Sequence, residues 1–227
     1  MSKRLQLNCA PEVPAASLAN RATDALRLGR MLAELMPREA EVHGLVALME
    51  LQASRVGARL DAAGDPILLL SQNRARWDQL LIGRGLAALE RATSLGGALG
   101  PYALQASIAA CHARARSSAD TDWNAIVALY DALAQLSPSP IIELNRAVAV
   151  SMAFGASAAL DIVDAIAADG RLGAYHLLPS VRGDLLDKLG RFEEARAEFS
   201  RAASLARNAR ECSLLLGRAA ACGARAQ

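Results

Sequence analysis

SVRGDLLDKLGRFEEARAEFSRAASLAR, residues Ser180–Arg207, is the stretch that predicts the fold of this chain most clearly. It contains two apolar helical patterns separated by Gly190, a residue suited to a tight turn. Gly183 in the first helix would let the two backbones approach closely. The second helix has one apolar face, with spacings of three, four and three residues: Phe192, Ala195, Phe199 and Ala202. The stretch therefore predicts a helix hairpin.

A second, weaker copy of this pattern precedes the first. Aligning Ala147 with Gly183 gives an offset of 36 residues and sets Ala159 opposite Ala195. Small residues recur at the helix crossing, which is typical of hairpin repeats that stack on one another. The earlier copy is degenerate, because Phe154 occupies the position of the turn glycine.

The small and aromatic positions of residues 180–207 resemble those of a tetratricopeptide repeat. This resemblance implies an all-α fold of antiparallel helix hairpins, stacked as a right-handed tetratricopeptide-like solenoid. We expect a poorly ordered lead-in at residues 1–17, an N-terminal helical subdomain at 18–118, and repeats with a terminal capping helix at 119–227.

The N-terminal subdomain shows helical periodicity interrupted by one irregular loop near residues 57–72. The first helix has an apolar stripe that includes Leu28, Leu32 and Leu35, and we expect this stripe to pack against a second helix at about 39–55. A third helix is expected at about 74–92 and a fourth at about 101–116.

The composition and the spacing of apolar residues argue against several classes of protein. The chain has 227 residues, of which 50 are alanine, and its formal charge of +2 gives no general field for a polyanion. No apolar run is long enough to span a membrane or to serve as a signal peptide, so we expect a cytoplasmic protein. The four scattered cysteines fit free thiols: Cys9, Cys111, Cys212 and Cys222.

The order of segments resembles a narrower family. Five segments carry the resemblance: residues 24–78, ending in SQNRARWD; GPYALQASIAACHARA; TDWNAIVALYDAL; SPSPIIELNRAVAVSMAFG; and YHLLPSVRGDLLDKLGRFEEA. Together they are similar to the C-terminal helical extension of a group of bacterial extracytoplasmic-function (ECF) RNA polymerase sigma factors. The resemblance implies a regulatory domain for transcription initiation, with the sigma core regions or RNA polymerase as partners.

The chain also departs from that family. It has no helix-turn-helix and no basic, aromatic-rich helix, so we expect no direct DNA binding by this chain alone. Ser71 and Asn73 occupy positions where the family usually has acidic residues. The alternative is a free-standing helical-repeat scaffold, which binds another protein and does not bind polymerase. A reading frame without a sigma core upstream would favour it.

Two groups of residues are candidates for protein binding. Arg74, Arg76, Trp77 and Asp78 follow the irregular loop, and arginine and tryptophan are favoured interface anchors. The structural alternative is a helix start at which Trp77 fills the core and the arginines pair locally. The second group consists of residues that would line a concave groove or bond between repeats: Asn145, Arg146, His176 and Arg182.

The sequence favours neither a metal site nor catalysis. His43, His112 and His176 are far apart, and no CxxC or HExxH motif occurs. No nucleophile elbow, P-loop or dinucleotide fingerprint is present. We therefore expect no cofactor and no enzymatic activity.

Overall fold

A computed structural model describes residues 15–62 and 64–226, with side chains from residue 23 onward. The predicted all-α fold of paired helices is confirmed, since no strand occurs in these ranges. The helices are α1 (Ala15–Leu35), α2 (Ala40–Ala53), α3 (Gln79–Ser94), α4 (Pro101–Arg114), α5 (Trp123–Leu136), α6 (Pro140–Phe154), α7 (Ala156–Asp169), α8 (Leu177–Lys188), α9 (Phe192–Leu205) and α10 (Ala209–Arg225).

The chain divides into two compact units, and the boundary falls within α6, between residues 142 and 143. The predicted subdomain boundary at 118 rests on sequence pattern and stays a prediction. Most of the predicted lead-in, with Cys9, lies outside the described residues, whereas residues 15–17 belong to α1. Cys111, Cys212 and Cys222 are free thiols.

In the first unit, α2 is the central helix. It packs against α1, α3 and α4, and α5 packs on α4. Gly44 lets α2 approach α4 closely, because a Cβ atom there would lie 2.8 Å from the backbone nitrogen of Ala103 on α4. Leu51, Trp77 and Ile82 are buried in the core of this unit. Alanines complete that core, which explains how a chain with few aromatic residues packs closely.

The irregular loop lies where the sequence predicts it. Its described residues form short 3₁₀ turns and an isolated antiparallel bridge between Leu60 and Pro66. The third helix begins at Gln79, later than the expected residue 74. Asp78 causes this shift, because its carboxylate accepts the amides of Leu80 and Leu81 and caps α3.

In the second unit, consecutive helices from α7 to α10 pack pairwise. Gly183 on α8 lies against Phe199 on α9, and a Cβ atom there would be 3.0 Å from the Phe199 ring. Gly190 has a φ angle of 74° at the turn between these helices. The other positions that share this packing role are also buried, apart from the half-buried Phe192: Ala147, Ala159, Ala195 and Ala202.

The orientation of α1 differs from the expectation. Leu26, Gly29 and the ion-paired Arg30 face α2, whereas Leu28 and Leu35 are 59% and 79% exposed. The predicted packing of the leucine stripe was therefore wrong. Periodicity identified the apolar face of the helix, but it does not determine whether the chain itself covers that face.

Candidate functional site

Arg74 is the most firmly held of the candidate binding residues. Its Nη2 donates to Thr121 Oγ1 at 3.0 Å, and its Nη1 donates to the carbonyl oxygens of Ala115, at 3.0 Å, and His112. The side chain is buried, and these bonds connect the loop before α3 to the segment after α4. The contacts support the structural alternative for Arg74.

Trp77 is also buried, in the core between α2, α3 and α4. The guanidinium carbons of Arg74 and Arg55 lie 5.2 and 5.6 Å from the centroid of its ring, within the range of cation–π interactions. Its Nε1 is buried and has no hydrogen-bond partner among the described residues. Trp77 is therefore a core residue and not an exposed anchor.

Several positive charges surround Trp77, and the carboxylate of Asp120 partly offsets that of Arg74. Burial, then the charges of Arg59 and Arg74, lowers the pKa of Arg55 to about 10. Burial, then Arg55 and Arg74, lowers the pKa of His112 to about 4, so this imidazole is neutral at pH 7. The hydrogen-bond acceptors of Arg74 are neutral groups. An anion near this cluster would be favoured.

Arg76 and Asp78 are exposed, unlike Arg74 and Trp77. Asp78 is the N-cap of α3, while Arg76 forms no ion pair with any residue in the described ranges. A binding role for Arg76 stays a prediction.

Beside this segment lies a cleft of about 300 Å³. It is bordered by Arg74 and Gln79 on one side and by Arg114 and Arg116 on the other.

The second group of candidates does not form one cluster. Asn145 is exposed, and Arg146 pairs with Glu143 on its own helix at 2.9 Å. His176 Nε2 lies 3.2 Å from a carboxylate oxygen of Glu211. Their proposed role in protein binding stays a prediction.

Arg182 is the residue of that group whose structural role is clearest. It bridges Asp164 on α7, at 2.7 Å, and Glu198 on α9, at 3.0 Å. These carboxylates, outweighing the cost of burial, raise the pKa of Arg182. Asp184 pairs with Arg218 on α10 and with Lys188 on its own helix, so ion pairs connect α8 to α7, α9 and α10.

A candidate surface that sequence reasoning missed is the outer face of α1. We call it the α1 stripe, and it consists of four residues of α1 and the residue that directly follows the helix: Leu28, Met31, Leu32, Leu35 and Met36. All five side chains are exposed, at 36–79%. Exposed apolar side chains that lie together on one face of a helix mark an interaction surface. The signal was present in the periodicity, but it was interpreted as core.

The described residues contain neither a candidate membrane span nor a candidate metal-binding cluster. No helix in these ranges is both long and apolar enough to cross a membrane. Within the same ranges, no three His, Cys, Asp or Glu residues are grouped so that they could hold a metal ion.

Comparison with known proteins gives two matches. Residues 11–93 match the model of a family of unknown function, DUF6596. Over 205 residues, the chain is 45% identical to uncharacterized protein R00370 of Rhizobium meliloti (strain 1021). That alignment takes in 90% of this chain and 47% of the relative, so the chain spans about half the length of the curated relative it matches. The family match includes both the α1 stripe and the Arg74–Asp78 segment.

Proposed function

We propose that this chain is a regulatory, protein-binding domain of an ECF-type RNA polymerase sigma factor. The proposal rests on the order of the five sequence segments that resemble the C-terminal extension of those factors. The all-helical fold agrees with a repeat domain that binds proteins. Action in the cytoplasm, where transcription takes place, is part of this proposal.

The structural observation that favours protein binding is the α1 stripe. Its five apolar side chains are turned away from α2, so packing within the first unit does not account for them. Exposed Asp24, Arg27 and Glu34 lie along the same helix and would form the polar rim of an interface. We assign the stripe to the sigma core as its partner, because the resemblance places that core immediately before this helix.

The length of the relative is compatible with this assignment. More than half of the Rhizobium meliloti protein lies outside the alignment, which leaves room for other regions beside a domain of this kind.

A pull-down tests the proposal. Sigma regions two and four, from an ECF factor of the group that the chain resembles, would be supplied separately to the immobilised full chain. We expect at least one region to be retained at physiological salt. Failure of both regions to bind, with core polymerase also unbound, would contradict the proposal and leave the free-standing scaffold as the better hypothesis.

A further inference from the structure

We propose that the cleft between the Arg74–Gln79 segment and the end of α4 binds the carboxylate group of an organic anion. This inference concerns the first unit alone, and it holds whether or not the chain serves a sigma factor.

The cleft presents cationic groups without a carboxylate in its lining. Arg74, Arg114 and Arg116 border it, and the other lining residues are neutral. Arg114 and Arg116 are exposed, and neither forms an ion pair within the described ranges. Asp78 and Asp120 lie outside this lining: Asp78 caps α3, and Asp120, whose charge also acts on Arg74, accepts hydrogen bonds from Ser117.

Arg74 keeps part of its guanidinium available. Arginine has five N–H donors, and Arg74 uses three of them, two on Nη1 and one on Nη2. Its Nε–H and second Nη2–H make no hydrogen bond with a described residue. These nitrogens form one edge of the guanidinium fork, which matches the two oxygens of a carboxylate. The bonds to carbonyl oxygens fix the position of this guanidinium, and Arg74 is one of the residues that line the cleft.

The remaining lining favours an organic ligand over inorganic phosphate. Trp77, Ile82 and three alanines contribute apolar surface, which suits the carbon chain of a carboxylic acid. Gln79 adds a neutral polar group. The volume is at the lower end of the range for ligand pockets, so it fits a small acid or a single acidic side chain of a peptide.

The positive field of this region agrees with the proposal. The lowered pKa values of Arg55 and His112 both include repulsion from Arg74. A bound carboxylate would offset that repulsion.

The test uses the indole N–H resonance of Trp77 in the full chain. The sequence has two tryptophans, so Trp123→Phe identifies the two indole signals. Glutarate would be titrated at constant ionic strength, and an acetylated Glu-Glu peptide amide would be titrated in parallel. A saturable shift of the Trp77 signal is expected with at least one of them. Glutarate binding would indicate a free small acid, and binding of the peptide alone would indicate a protein segment.

Two matched double variants decide whether the arginines are responsible. Arg114→Gln with Arg116→Gln is expected to weaken binding about fivefold to tenfold, since each exposed charge contributes modestly. Arg84→Gln with Arg207→Gln removes the same charge from exposed positions that do not line the cleft, and it should leave affinity within about twofold. The same spectra report whether each variant is folded.

Three results would overturn the proposal. They are the absence of a saturable Trp77 shift with either carboxylate, equal weakening by both double variants, and tighter binding of inorganic phosphate than of glutarate.

Discussion

Arg30 on α1 donates its Nε–H to Glu50 on α2 at 2.6 Å, and Glu50 is only 1% exposed. This ion pair, in which only Glu50 is buried, lies on the inner side of α1 together with Leu26 and Gly29. The pair explains how a helix can turn its leucines toward solvent, because a charged contact and a glycine form the face that meets α2.

The two ends of this pair should respond differently to substitution. Arg30→Ala leaves the Glu50 carboxylate buried without its partner, and we expect a loss of about 2–4 kcal/mol in the free energy of unfolding. Glu50→Leu leaves an arginine that still reaches water, so its cost should be below about 1 kcal/mol. Urea denaturation measures both. Equal costs would show that the buried carboxylate is not the dominant factor.

Arg74 and Arg76 provide a second matched comparison. Arg74→Ala removes three hydrogen bonds and leaves buried acceptors unpaired, so we expect a cost of about 2–4 kcal/mol. Arg76→Ala alters an exposed side chain and should change stability by less than about 0.5 kcal/mol. Thermal unfolding of the two single variants is the measurement. A stable Arg74→Ala variant would argue against its structural role.

This contrast shows where sequence reasoning about the site reached its limit. The SQNRARWD segment was identifiable as a candidate, but adjacent arginines in it have opposite environments. Residues about 40 positions away supply the acceptors for Arg74, and periodicity carries no information about such contacts. The cleft was missed for the same reason, since its two sides come from separate segments.

The third prediction concerns Gly183, where α8 packs against α9. Gly183→Leu forces a side chain against the Phe199 ring, and overpacking of this kind costs about 1–3 kcal/mol. Gly217→Ala is the control within the same unit, because a Cβ atom there meets no neighbour within 4 Å. It should stabilise α10 by about 0.5–1 kcal/mol. An unchanged melting temperature for Gly183→Leu would refute the close packing.

His112 makes stability depend on pH. Its pKa is about 4 in the folded chain, against an ordinary value of 6.5. The folded state therefore binds this proton less readily than the unfolded state, so its contribution is fully present above pH 6.5 and decreases as the pH falls toward 4. We expect a loss on the order of 2–3 kcal/mol across that window, measured by urea denaturation at several pH values.

Substitution of His112 isolates this effect. The pKa values of Asp184 and Glu194 are lowered by ion pairing, but their stabilisation is lost only below ordinary values of 3.8 and 4.5. Between pH 6.5 and 4.5, His112→Gln should therefore show a flatter stability profile than the unsubstituted chain. Identical slopes would mean that another group dominates the pH response.

Much of the fold could be predicted from the sequence, because the apolar residues of the helices recur with a helical period. The helices also end at glycine, proline or capping residues. The close packing at Gly183 was predicted from the pattern of residues 180–207, although the neighbour that it meets is the ring of Phe199 and not the backbone of α9. The start of α3 was not predictable in the same way, because the capping bonds of Asp78 outweighed the helical pattern of the preceding residues.

The assignment of the α1 stripe to the sigma core is tested most directly by calorimetry. The affinity of a sigma core region would be measured for the chain with and without this stripe. Leu28→Ser with Leu35→Ser should weaken binding at least tenfold, since buried leucines each contribute more than about 1 kcal/mol. Leu99→Ser with Leu136→Ser, at comparably exposed positions, is the control and should bind normally. Unchanged affinity after loss of Leu28 and Leu35 would contradict the assignment of this surface to the sigma core.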